Sequence, residues 1–388
     1  MEKTAVIGVG QTQFGELIDK GHRELLSGAF GEAVNDVIKG INPKEIEAVF
    51  VGNLGCGGAQ LGNISSLAVE SMGLVGVPAV RIENACASSG YAFMLANMAV
   101  SLGQYDVVLA CGVEKMRDVS NERGRYWLGV SGDTEWERLA GMTFPGNYAL
   151  IASRHMHEYG TKREHLAMVA VKNHKNGADN PKAQFQRAIT LEAVLNSMMV
   201  AYPLTIFDCC PTSDGASVAI ICRADLAKKY TDTPVYVAGY GAGSDYLAVH
   251  ARNDPTTLTA SVNASKQAFA MANLESKDVD VAEVHDCFTI AEICACEDIG
   301  FCKKGEGGKL VEGGQTQIGG RIPVNPSGGL KSKGHPIGAT GVGQVYEIVK
   351  QLRGEVVKRS RQVSGAEIGL THNVGGSGAS AVIAILKR

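Results

Sequence analysis

The 388-residue sequence predicts an α/β protein built from two related units, and three observations carry that prediction. The first is an internal echo. Ile41-Asn42-Pro43-Lys44-Glu45-Ile46-Glu47-Ala48-Val49-Phe50-Val51 and Leu274-Glu275-Ser276-Lys277-Asp278-Val279-Asp280-Val281-Ala282-Glu283-Val284 share their order of apolar, acidic and lysine positions. The second is that each copy is followed by a glycine-rich turn, a helix of small residues and a further strand. The third is size: 388 residues with 45% apolar side chains exceed what one hydrophobic core usually serves.

Taken in order, residues 1–10 run directly into an apolar, strand-like segment. Each echo segment reads as a helix end followed by a buried strand. Residues 84–102 supply the turn and helix of the first unit, and 106–112 its next strand. Residues 119–199 are polar and irregular, hold Trp127 and Trp136, and read as a long excursion of the kind that serves α/β folds as a lid or binding loop. The first unit resumes at 205–224, where Thr212-Ser213-Asp214-Gly215-Ala216 turns into the apolar strand 217–222. A polar segment, 225–234, leads to strand 235–239 of the second unit. That unit continues with the turn and helix of 325–352 and strand 367–373, so helices cross between strands in both units. The implied boundaries are 1–118 with 200–230 for the first unit, 119–199 for the excursion and 231–388 for the second.

Composition narrows the function. The net charge is −3 and the pI about 6.3, with Lys and Arg scattered, so nucleic acid is not an expected partner. The longest apolar run, 91–102, is interrupted by Asn97 and falls short of a membrane span. No basic, apolar and cleavage-site succession opens the chain, which argues against secretion. Ten cysteines are too dilute here for a disulfide framework; reduced thiols and a cytoplasmic location are expected.

Three short stretches carry reactive groups: Glu83-Asn84-Ala85-Cys86-Ala87-Ser88-Ser89-Gly90, Val284-His285-Asp286-Cys287-Phe288 and Lys333-Gly334-His335-Pro336-Ile337-Gly338. Two thiols and two imidazoles suit carbon–carbon bond chemistry on a thioester, with one thiol holding an acyl group and the other moving a proton on carbon. Cys86 precedes a helical run, where the helix dipole favours thiolate by roughly 0.3–2 kcal/mol, and small neighbours leave its N–H open to an oxyanion. Equally, a cysteine among small residues fits a buried hydrophobe. His335 sits in a loop stiffened by proline and suits a base or an oxyanion donor; a turn histidine bonded to backbone fits as well. His285 and Cys287, two apart at a strand's carboxyl end, share a face if the chain stays extended. Leu370-Thr371-His372-Asn373-Val374-Gly375-Gly376-Ser377-Gly378 leaves a strand into glycines whose N–H groups complete an oxyanion hole, or it is only a tight connection.

Other clusters weigh less. Cys209-Cys210 and the set Cys294, Cys296 and Cys302 lack paired C-x-x-C spacing, so no metal is expected. His155, His157, His165 and His174 fall in the excursion and are expected to face solvent. Gly8-Val9-Gly10 lacks the third glycine of a dinucleotide fingerprint, so no nicotinamide cofactor is expected.

In these ordered motifs the chain resembles the thiolase family along nearly its whole length. Cys86-Ala87-Ser88 matches the family's nucleophile motif and Gly334-His335-Pro336 its Gly-His-Pro motif. Where commoner thiolases carry Asn-Glu-Ala-Phe this chain has His285-Asp286-Cys287-Phe288, and where they carry a cysteine before the final glycines it has Asn373. That exchange is similar to the archaeal and sterol-carrier-type thiolases.

The resemblance implies two fused βαβαβαββ halves in a layered α/β/α/β/α core with an inserted loop domain, and no appended lipid-carrier domain after Arg388. It implies an acetyl-CoA acetyltransferase, joining two acetyl-CoA into acetoacetyl-CoA or running in reverse. His335 would take the proton of Cys86, the amides of Cys86 and Gly375 would hold the first oxyanion, Cys287 would be the acid/base, and His335, with His285 acting through water, would hold the enolate. No cofactor beyond the coenzyme A thioesters is implied. The implied partners are further copies in a homodimer or homotetramer, and a complex with 3-hydroxy-3-methylglutaryl-CoA synthase and a small OB-fold/zinc-ribbon accessory protein on the mevalonate route. Rival readings are a thiolase of longer acyl chains, a ketoacyl-synthase-like enzyme, which has little use for Cys287, and a scaffold subunit without activity, which the filled reactive positions oppose.

Overall fold

The computed structural model describes residues 3–388; Met1 and Glu2, the start of the opening apolar segment, lie outside the described residues. The first half contains β1 (Thr4–Gln11), α1 (His22–Asn35), β2 (Ala48–Gly52), α2 (Ile64–Ser71), β3 (Ala79–Ile82), α3 (Ser88–Ser101) and β4 (Val107–Glu114). The excursion holds α4 (Asn121–Gly129), α5 (Phe144–Tyr159), α6 (Arg163–Ala178), α7 (Leu191–Leu195) and a hairpin of β5 (Met199–Ala201) and β6 (Leu204–Thr205). β7 (Gly215–Arg223) and α8 (Ala227–Tyr230) complete that half. The second half runs β8 (Val235–Ser244), α9 (Thr259–Ala272), β9 (Val281–Glu283), α10 (Thr289–Asp298), α11 (Gly307–Glu312), α12 (Gly329–Ser332), α13 (Thr340–Arg353), β10 (Ile368–Gly375) and β11 (Ser380–Lys387).

Nine strands form one sheet in the order β3-β2-β4-β7-β1-β8-β11-β10-β9. The run β2-β4-β7-β1 is repeated by β9-β10-β11-β8, with β2 parallel to β4 and β9 parallel to β10. The halves meet where Ala5 and Val6 pair with Tyr236 and Val235. The echo has a shared physical purpose. Glu47 accepts from the amides of Asp106 and Val107 at the start of β4, and Asp280 accepts from those of Glu367 and Ile368 at the start of β10.

Helices α3 and α13 lie between the two halves of the sheet and touch strands of both, while α1 and α2 cover one outer face and α9 the other. The order is α/β/α/β/α, with one apolar core outside each half of the sheet and a third around the central helices between the halves. Leu25, Phe30, Leu109 and Ile220 lie outside the first half; Phe93, Val108, Ile221, Val345 and Ile348 lie in the middle; Ala264, Leu370 and Ile383 lie outside the second. Each fully buried Leu, Ile, Val or Phe contributes about 1.5–3 kcal/mol. Because central strands are covered on both faces, β4 and β7 read as continuous apolar runs. The two central helices cross glycine on glycine: a Cβ on Gly341 would stand 2.3 Å from the backbone nitrogen of Gly90.

The excursion corrects two expectations. It is largely helical, and His155, His165 and His174 are buried, with only His157 exposed. In α5 the Thr143 hydroxyl caps the Gly146 amide at 3.2 Å and Gly160 closes the helix at φ 71°. The apolar faces of α5 and α6 pack on α10, and α6 also on α11 and α12. The segment looks polar because buried pairs stand in that packing: His155 with Glu297 at 3.0 Å and Lys172 with Glu292 at 2.8 Å. Among the described residues no helix is long and apolar enough to cross a membrane.

Candidate active site

Cys86 occupies the turn before α3, as expected, and Ala85 beside it takes φ 49°. A non-glycine residue there costs roughly 1–2 kcal/mol. The turn is held by Ser88, whose hydroxyl donates to the Ala85 carbonyl at 2.6 Å and accepts from the Asn84 amide at 3.0 Å. The expected thiolate does not follow from this placement. Burial pushes the Cys86 thiol well above its ordinary range, nearby Cys210 adds to that, and the Gly376 N–H on the sulfur opposes it only in part. Cys86 is therefore a thiol at rest and needs a base.

His335 has the geometry of that base. Its Nδ1 lies 2.7 Å from the Thr340 hydroxyl. That hydroxyl gives its one proton to the Pro336 carbonyl at 3.0 Å, so Nδ1 must carry the hydrogen and Nε2 must be the free lone pair. Nε2 is buried and has no hydrogen-bond partner. Burial lowers the His335 pKa to about 3, so the ring is neutral at rest. Its loop is pinned from two sides. The His335 amide donates to Ser213 Oγ at 2.9 Å, and the Gly338 amide donates to the buried Glu114, which also accepts from Leu54, Gly55 and Cys56.

His285 is held in the opposite tautomer. The Asn373 amide nitrogen donates to the Cys86 carbonyl at 2.9 Å and meets His285 Nδ1 at 3.2 Å. Turning the amide over would set two oxygens against each other at the Cys86 carbonyl. Asn373 is thus the donor, Nδ1 of His285 the acceptor, and Nε2 of His285 an N–H that is buried and unpartnered. Burial, with His335 and His372 close by, holds the His285 pKa well below its ordinary value. The rings of His285 and His335 meet edge to face at 5.0 Å.

β9 ends at Glu283, so the His-Asp-Cys-Phe segment lies in the connection to α10 and not in the strand. Alternation nonetheless persists. His285 and Cys287 reach the site, while Asp286 points away and accepts from the amides of Leu330 at 2.7 Å and Lys331 at 3.3 Å. The close approach requires glycine at 329, where a Cβ would stand 2.4 Å from the Asp286 carboxylate at φ +56°. Burial pushes the Cys287 thiol above its ordinary range.

One ring nitrogen each from His285 and His335 and the Cys86 sulfur all lie within 4.8 Å of one another. Cys86, Cys287 and His335 line a single cavity of about 140 Å³, walled also by Met116, Leu128, Phe144, Tyr148 and Phe288. The spacing of the three donors would suit a metal ion, but His285 presents an N–H there, so the set is one lone pair short and does not fit a metal. Gly375 ends β10 opposite Ser380, and the amide facing the Cys86 sulfur is that of Gly376, one residue on. Thr340, Glu114 and Tyr148 stand in no motif that would mark them in the sequence. His372 accepts from the His285 amide at 3.5 Å and contacts the Ser261 hydroxyl at 2.8 Å.

Comparison with known proteins agrees with this architecture. Residues 4–225 match the family described as thiolase, N-terminal domain, and residues 241–388 match thiolase C-terminal domain-like. The chain is 51% identical to the acetyl-CoA acetyltransferase of Methanothermobacter thermautotrophicus across 100% of both chains. It is 33% identical to sterol carrier protein 2 of Homo sapiens over 98% of this chain and 71% of that protein. The solved Ltp2-ChsH2(DUF35) aldolase superposes with a TM-score of 0.86 at 26% identity, covering 99% of this chain and 97% of that one.

Proposed function

The chain belongs to the thiolase family, and on that premise we propose that it is an acetyl-CoA acetyltransferase working through an acetyl-Cys86 intermediate. The observation that carries the proposal is the convergence of two thiols and the His335 imidazole on one cavity, with the His285 imidazole, of opposite tautomer, within 4.8 Å of the Cys86 sulfur and the His335 ring nitrogen.

In the first half-reaction His335 Nε2 takes the Cys86 proton as the sulfur attacks the acetyl-CoA carbonyl. The oxyanion is held by the amide of Cys86 with the main chain of Gly375 and Gly376. Collapse breaks the thioester bond, and the departing CoA sulfur takes the proton of Cys287. Acetyl-Cys86, a Cys287 thiolate and a His335 imidazolium remain. The buried ring bears a charge only while anionic sulfur or oxygen stands beside it.

In the second half-reaction Cys287 removes a methyl proton from another acetyl-CoA, and the enolate oxygen is held by the N–H groups of His335 and His285. The enolate carbon attacks acetyl-Cys86, the carbon–sulfur bond breaks, and Cys86 recovers its proton from His335. Two acetyl-CoA become acetoacetyl-CoA and CoA, and the same steps reversed are thiolysis. A cavity of about 140 Å³, small against the roughly 300 Å³ and more of drug-sized ligand sites, favours short acyl groups over long ones.

Coenzyme A thioesters suffice as substrates in this scheme, and no further cofactor takes part. Self-association into dimers or tetramers is supported by β3, a half-exposed strand at the free edge of the sheet. A cytoplasmic setting, and hand-over of acetoacetyl-CoA to 3-hydroxy-3-methylglutaryl-CoA synthase through an OB-fold/zinc-ribbon accessory protein on the mevalonate route, complete the proposal. Condensation is uphill, and a consuming partner would draw it forward. Intact mass after incubation with acetyl-CoA should rise by one acetyl group, and Cys86→Ala should abolish the gain; an acetylated Cys86→Ala protein would remove the assignment.

A further inference from the structure

Tyr148, in α5 of the excursion, has a fully buried ring stacked on Phe288 at 4.6 Å between centroids. It lines the same cavity as Cys86 and Cys287. Its hydroxyl donates to the Gly376 carbonyl at 3.3 Å, a long bond, and Cys287, which precedes the stacked Phe288 and lines the same cavity, is a second neighbour that adds to burial in raising the Tyr148 pKa. A phenol has one proton and cannot serve both acceptors at once. While Cys287 is a thiol, the proton stays on the Gly376 side. Once Cys287 is a thiolate, the anion is the stronger acceptor and the hydroxyl turns to it without moving the stacked ring.

We propose that Tyr148 is a positioning residue for the carbon-acid half-reaction, holding the Cys287 sulfur in place and donating to it when it becomes anionic. The proposal rests on the acetyltransferase reading of the site. In the resting site burial, Cys86 and Asp286 disfavour the Cys287 anion, and Tyr148 and Lys331 favour it; the His335 imidazolium adds to that help once Cys86 is acylated. Acylation of Cys86 turns on His335 and the oxyanion amides, and water can protonate the departing CoA thiolate where Cys287 gives up its proton less readily, so the two half-reactions should separate on losing one hydroxyl.

Tyr148→Phe keeps the ring and its stack, which makes it the direct test. Three quantities are read: acetylation of Cys86 by intact mass, exchange of the acetyl-CoA methyl protons in D₂O, and peptide-resolved alkylation of Cys287 by iodoacetamide at fixed pH. In Tyr148→Phe, acetylation should stay within about twofold of wild type, while exchange and Cys287 alkylation fall about 10- to 100-fold, the range for a hydrogen bond to a charged group. Unchanged exchange, or Cys287 alkylating at the wild-type rate, would overturn the role. If Tyr148→Phe melts early, 3-fluorotyrosine placed at position 148 decides. Its more acidic hydroxyl should keep exchange at or above wild type and quicken Cys287 alkylation, and a fall in both would overturn the role. Wild-type protein that neither acetylates nor exchanges would sink the acetyltransferase reading itself; wild-type protein that does both, with Tyr148→Phe indifferent, would sink only the part given to Tyr148.

Discussion

At the scale of single residues, the site is a problem in proton placement. His335 and His285 are the same side chain in similar burial, yet Thr340 makes one an acceptor towards the cavity and Asn373 makes the other a donor. Asn373→Asp tests this directly. A carboxylate accepts, so His285 would move its hydrogen to Nδ1 and turn a lone pair towards the enolate. Methyl-proton exchange from acetyl-CoA should then drop at least 100-fold, since a mis-set tautomer elsewhere costs about 10⁴; exchange within threefold of wild type would contradict the assignment. The types of these residues are legible in the sequence: Cys86, His285, Cys287 and His335 each stand in an unusual local setting. Their protonation is not, because it depends on Thr340 and Asn373, whose partners the fold alone supplies. The thiol's raised pKa is likewise hidden, since a helix terminus can be read from Ser88-Ser89-Gly90 but the burial of the sulfur cannot.

At the scale of elements, strands are easier to read than the excursion. β2, β7, β9 and β10 lie within a few residues of where apolar runs place them, because strands covered on both faces need no polar alternation. The turn and helix of 325–352 resolve into α12, the His335 loop and α13, a division forced by Asp286 seizing the amides at the start of α12. The excursion reads as irregular because its helices bury charges in pairs. Lys172 meets Glu292, and Asn173 bonds both Glu292 and Asp286. Such residues erase the apolar stripe that marks a helix. The start and stop signals are present all the same, with Thr143 and Pro145 at the start of α5 and Gly160 at its end.

At the scale of the whole molecule, duplication explains why the site lies where it does. α3 brings Cys86 from the first half, and β10, α13 and the β9–α10 connection bring Asn373, His335 and Cys287 from the second. Holding neutral histidines at that junction couples stability to pH. Burial lowers His372 from 6.5 to about 3, so between those values the unfolded chain binds a proton that the native state refuses. The contribution of His372 is complete above pH 6.5 and is lost as pH falls. Asp286 and Glu114, raised to about 7 by burial, act in the opposite sense, so the comparison must be made against a variant. In urea unfolding, the stability advantage of wild type over His372→Gln should shrink by about 2 kcal/mol between about pH 7 and pH 5; a constant gap would mean that His372 titrates alike in both states.

The two sulfurs divide the carbon chemistry between them, Cys86 carrying the acetyl group and Cys287 moving the methyl proton, and Cys287→Ala separates those shares. Incubated with acetyl-CoA in D₂O, this variant should still gain one acetyl group by intact mass, with solvent protonating the departing CoA thiolate in place of Cys287, yet leave the methyl protons of free acetyl-CoA unexchanged. Deuterium entering that methyl group at the wild-type rate would contradict the account and assign the carbon acid to another base.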